Sequence, residues 1–153
     1  EIRPNQLFAV SLPFAPLTDQ QAQVVTEVCR RHLLTPEGLR TLSPDDRRYR
    51  GRFKGDMVQR DEAYHNGTVW PWLLGPYCEA VLRVGGFSEA AKAEASEALS
   101  VILSHLSSGC LGQLAEVYDG DRPRSQEGCV AQAWSVAEVL RIAAFVMRER
   151  RAP

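Results

Sequence analysis

Apolar residues recur at helical spacing in one segment of this chain after another, and most of these segments are closed by recognisable helix punctuation. That pattern leaves few architectures open. Residues 18–33 begin "TDQQ", a Thr-x-x-Gln capping box, and carry Val24, Val25, Val28, Cys29 and His32/Leu33 in helical phase. Residues 70–84 repeat the phase through Trp70, Leu73, Leu74, Tyr77, Cys78, Val81 and Leu82, and stop at Gly85-Gly86. Pro71 suits a helix start; Pro76 either kinks this helix or marks its true beginning. Ser88 is placed to cap a helix over 89–106, which presents Ala91, Ala95, Leu99, Ile102, Leu103 and Leu106 on one face. A short helix over 4–12 opens at Pro4 and stops at Pro13, and a final helix runs over roughly 130–149. No segment shows convincing strand alternation. The expected fold class is therefore all-α, with about five main helices joined by two rich loops. One is the polar stretch 35–67; the other contains "GDRPRSQEG" at 120–128. Loops as long as the first are commonly functional or disordered.

Charge narrows the partners. Eighteen basic residues against nineteen acidic ones leave a net charge of -1, so nothing recommends nucleic acid. The basic run "RERR" at 148–151 reads as a solvated helix end, where cations complement the helix dipole. No stretch approaches the ~18 apolar residues of a membrane span. The opening "EIRPNQLFAVSLP" lacks the positive flank and small-residue cleavage site of a secretory signal. Cys29, Cys78, Cys110 and Cys129 are far apart and form no C-x-x-C pair. Cys29 and Cys78 fall in helical apolar phase, which favours reduced core thiols and a cytoplasmic setting. The sequon "NGT" at 66–68 is discounted on the same ground. His32, His65 and His105 are scattered, and the Cys29-x-x-His32 pair has no second pair at ligand spacing, so no metal and no cofactor are expected.

Two stretches carry chemistry. "YHNGTVW" at 64–70, followed by Pro71 and Trp72, sets hydrogen-bonding groups among aromatic rings. A packed core has no use for His-Asn-Gly, whereas a pyranose offers apolar C–H faces to rings and hydroxyls to polar side chains. The competing explanation is a buried Trp70 beside an ordinary Asn-Gly turn. "LGQLAEVYDGD" at 111–121 offers Glu116, Asp119 and Asp121. A carboxylate there could serve as a general base on water, or form a solvated acidic turn. A calcium loop fails on spacing, because Pro123 and Arg124 occupy the fifth and sixth positions counted from Asp119. Arg3, Asn5 and Gln6 crowd a helix start and are potential hydroxyl partners, though capping also explains Asn5.

Taken in order, "RPNQLFAVSLP", "GLRTLSPDDRRYRGRF", "YHNGTVWPWLLGPYCEA", "LAEVYDGD" and "GCVAQAWSVAEVLR" resemble the C-terminal part of the amylo-α-1,6-glucosidase region of bacterial and archaeal glycogen debranching enzymes. The resemblance covers nearly the whole chain and is least distinctive over 88–106. It implies an (α/α)6 toroid, of which this chain would be part, and hydrolysis of α-1,6-linked glucosyl branches of glycogen or limit dextrin with inversion. It implies that Glu116 is the general base and that Tyr64, His65, Asn66, Trp70 and Gln132 line a glucose subsite, with Arg3, Asn5, Gln6 and Arg40 as further ligands. Asp119 would orient the loop or bind sugar, and Trp134 would pack behind the site. The family's general acid, an aspartate, lies in an upstream Trp-Met-Asp type segment that is absent here. Residues 1–153 are thus expected to be one domain, a segment of a longer enzyme that is inactive alone and self-associates through bared ring faces. The alternative is a helical carbohydrate-binding or regulatory module without chemistry.

Overall fold

The computed structural model describes residues 1–149, and the last part of the "RERR" run lies outside them. The first turn, Pro4–Leu7, is a 3-10 helix that leads into α1 (Phe8–Ser11). Helix α2 (Asp19–Leu33) starts at the expected capping box: Thr18 Oγ1 accepts from the Gln21 N–H at 3.3 Å, and Gln21 Oε1 accepts from the Thr18 N–H at 3.0 Å. Its buried face is Thr26, Cys29 and Leu33, with Ala22 and Val25 packed alongside. Val24, read from the sequence as part of that face, is 58% exposed. Thr26 can occupy the core because its hydroxyl donates to the Ala22 carbonyl at 2.8 Å.

Helix α4 (Leu74–Val84) is the centre of the molecule. It touches α1, α2, α5 (Glu89–Ser104) and α6 (Ala133–Glu149), and almost its whole circumference is buried. Pro76 sits in its first turn, where the missing N–H would have had no intrahelical partner, so no hydrogen bond is lost. Ser88 caps α5 by accepting from the Ala91 N–H at 3.3 Å.

The all-α expectation needs correction. The fold is mostly helical, but it also contains a five-stranded antiparallel sheet in the order β1-β2-β3-β4-β5. The strands are β1 (Leu34–Thr35), β2 (Gly38–Arg40), β3 (Val69–Trp70), β4 (Val117–Tyr118) and β5 (Gln126–Glu127). With two or three residues each, they are too short for a period of two to show in sequence. The 35–67 stretch is no plain loop either. It holds β2 and a helix α3 (Met57–Tyr64), whose capping box pairs Asp56 with Gln59. In the register of the sheet, Leu39 faces Trp70, Val69 faces Tyr118, and Val117 faces Glu127. The sheet thereby brings both chemistry-bearing stretches side by side.

Cys29 and Cys78 are fully buried, and burial pushes both thiols up to about 12. Cys110 is half-buried and Cys129 exposed. Alkylation with iodoacetamide at pH 8 should therefore modify Cys129 and Cys110 and spare Cys29 and Cys78 until the chain unfolds, as read by peptide mass spectrometry. Early labelling of Cys78 would contradict this packing.

Candidate active site

Glu116 stands just before β4, and its N–H donates to the Cys129 carbonyl at 2.8 Å, one residue out of register with the Val117–Glu127 pair. Its carboxylate is half-buried and faces three donors. The Tyr64 hydroxyl and the Gln132 amide (3.2 Å) donate to Oε1, and the Cys129 N–H donates to Oε2 at 2.9 Å. Three donors are the complement of an acceptor-only carboxylate. Gly128 makes room for them: its φ is +70°, and a Cβ there would lie 2.5 Å from Glu116 Oε2.

Tyr64 is the last residue of α3, and its ring stands edge-on to Trp70 at 4.8 Å and 69°. Desolvation, then the bond to Glu116, pushes its phenol up to about 12, so the hydroxyl keeps its proton and donates. Trp70 is 3% exposed and its indole N–H donates to Tyr64 O and Thr68 Oγ1, both at 3.1 Å. It is a core residue whose ring also walls a cleft. His65 is exposed and stacks nearly parallel on it, with centroids 5.8 Å apart and an 8° interplanar angle.

That cleft has a volume of about 220 Å³ and is walled by Phe8, Trp70, Trp72 and Trp134, with Arg3, Asn5 and His65 at its polar side. Drug-sized sites run to ~300–1,000 Å³, so this one suits a single small ring. The Trp72 indole N–H is buried in the wall without a partner among the described residues. Trp134, expected behind the site, is instead 49% exposed and packs its ring against both Trp70 and Trp72. Sequence phase could not reveal this, because Trp134 shares α6 with the buried Val139 and Ile142 but points elsewhere.

The other residues singled out from the sequence divide in two. Arg3 clasps the turn: its guanidinium donates to the His65 carbonyl, to Asn66 Oδ1 at 2.9 Å and to the Thr41 carbonyl at 3.2 Å. Asn66 in turn donates to the Glu62 carbonyl at 2.7 Å, so it is spent on fixing the turn. Gln6 donates to the Arg3 carbonyl at 2.8 Å, a local bond within the first turn. Arg40 lies outside the cleft lining and donates to the Gly120 carbonyl at 3.2 Å. Asp119 is fully buried and anchors a loop: its oxygens accept from the Phe53 N–H (2.8 Å) and from Arg52 Nη1 (3.1 Å). Glu116, Tyr64 and Gln132 form a group of their own, joined to the cleft through the Tyr64–Trp70 contact and through Trp134, two residues after Gln132. No cluster of metal-ligating side chains occurs among the described residues.

Residues 1–141 match the family model of amylo-alpha-1,6-glucosidase. A glycogen debranching enzyme of Saccharomyces cerevisiae is 32% identical over 88 residues, which cover 52% of this chain and 6% of the yeast protein. The chain therefore corresponds to a small part of that relative.

Proposed function

The chain belongs to the amylo-alpha-1,6-glucosidase family, and on that footing we propose that it is the C-terminal portion of a glycogen-debranching glycosidase, carrying the general base and part of the glucose subsite. The observation that carries this is the Glu116 carboxylate, held by three donors beside an aromatic cleft with polar groups on one side. In an inverting hydrolysis the base takes a proton from water while the water oxygen attacks the anomeric carbon. An acid ~6.5–9.5 Å away protonates the departing oxygen. Glu116 supplies the base. Trp134 and Trp72 offer ring faces to the pyranose, and His65, Asn5 and Arg3 offer partners for its hydroxyls. Tyr64, Trp70, Asn66 and Gln132 support the walls. The acid is assigned to a segment outside this chain, within a complete (α/α)6 ring. The substrate class is a branched α-glucan and the setting cytoplasmic. Self-association belongs to the same proposal, supported by exposed apolar positions along α6 such as Leu140 (67%) and Met147 (60%). No helix among the described residues is long and apolar enough to cross a membrane.

A leaving group that needs no proton isolates the base. With α-D-glucosyl fluoride, water's oxygen bonds to C1, the C–F bond breaks to release fluoride, and the proton goes to Glu116. The expected result is fluoride release with β-glucose as first product, followed by proton NMR. Glucose binding without fluoride release would replace the enzyme with a carbohydrate-binding module; α-glucose as first product would remove the inverting mechanism.

A further inference from the structure

We propose that Tyr64 is a positioning residue for Glu116, its phenol locking the carboxylate into one rotamer rather than contacting sugar. The ring is already committed. Phe53 lies against it at 5.7 Å, Trp70 meets it edge-on at 4.8 Å, and His65 does so at 4.8 Å. The backbone beneath is fixed as well, because the Tyr64 carbonyl accepts from Thr68 Oγ1 at 2.7 Å and from the Trp70 indole at 3.1 Å. Tyr64 does not line the aromatic cleft, and its hydroxyl is spent on Glu116 Oε1. The brace extends further: the Phe53 N–H is held by the fully buried Asp119, so two separate loops hold the ring that holds the carboxylate. A general base must meet its water at a set distance and angle, and the Gln132 amide and Cys129 N–H leave Oε1 only partly restrained without the phenol. Tyr64 thus contributes to the chemical step through Glu116 and little to sugar affinity.

This rests on Glu116 being the base, and two readouts separate its failure from a failure of that assignment. The first is NMR of the intact chain labelled at tyrosine 13Cζ, with Tyr64 identified by its loss in Tyr64→Phe. Its ionisation midpoint, near 12 in the wild type, should fall part of the way toward 10 in Glu116→Gln, because burial remains while the charged acceptor is lost. An unchanged midpoint overturns the proposal whether or not the chain turns over any substrate. The second is hydrolysis of α-D-glucosyl fluoride by Tyr64→Phe, which keeps the ring. The expected result is a kcat about 10- to 100-fold lower with KM nearly unchanged. A raised KM at unchanged kcat would make Tyr64 a sugar ligand and overturn the proposal.

Discussion

Replacing Glu116 by Gln should lower fluoride release from α-D-glucosyl fluoride by about 10²- to 10⁴-fold, the range expected when a general base is removed. The substitution preserves size, so the cleft walls stay in place. It also exchanges one acceptor oxygen for an amide group. The Cys129 N–H can only donate and keeps the remaining oxygen, so the new NH2 meets the Tyr64 hydroxyl and the Gln132 amide, which must turn to accept. Three charge-assisted bonds thus give way to a poorer, neutral match. The fold should lose about 1–2 kcal/mol from that mismatch, readable as a lower urea midpoint. The two effects differ in kind, and a rescue experiment separates them. In Glu116→Ala the space left by the carboxylate admits azide, a nucleophile that needs no base, and the product should be β-glucosyl azide. Rescue by azide assigns the lost rate to proton removal. Turnover by Glu116→Gln within a few-fold of the wild type would take the base role away from Glu116.

Helices were legible because their signals are local. The Thr18 box and the Ser88 cap are side-chain-to-backbone bonds spanning three residues, and they form where the sequence places them. The Asp56–Gln59 box is the same device, yet it lies in a polar stretch without an apolar face to support it and was readable only as loop. The sheet was hidden for another reason: its strands are two or three residues long, and Leu39 pairs with Trp70 and Val69 with Tyr118 over separations longer than any sequence window. The site divides similarly. The aromatic and acidic stretches are visible as composition, but which polar groups remain free for a ligand depends on hydrogen bonds across the fold. Asn66 and Gln6 look like sugar partners until their bonds to Glu62 and Arg3 are seen. Trp134 reads as packing behind the site, yet 49% of it is exposed.

Asp119 shows how much such a distinction matters. A sugar ligand can be removed at little cost to the fold, whereas a buried anchor cannot. Asp119 is fully buried, and its carboxylate accepts from the Phe53 N–H at 2.8 Å and from Arg52 at 3.1 Å. Arg52 also donates to the carbonyls of Pro123 and Arg122, so the same pair ties the loop before α3 to the turn between β4 and β5. Asp119→Ala would leave a part-buried backbone donor unsatisfied and the guanidinium without its counter-ion. Breaking a fully buried pair costs about 3–5 kcal/mol, but the Arg52 side chain is 39% exposed and water can take over part of its solvation. The expected loss is therefore about 2–3 kcal/mol, a fall in Tm on the order of 5–10 °C for a chain of this length. Arg52→Ala should cost at least as much, because it strips the cation from a fully buried carboxylate and also removes the bonds to the Pro123 and Arg122 carbonyls. Thermal denaturation followed by circular dichroism measures both. If Asp119→Ala left Tm within a degree of the wild type while weakening glucose binding, the carboxylate would be a ligand after all and the brace behind Tyr64 would have to be sought elsewhere.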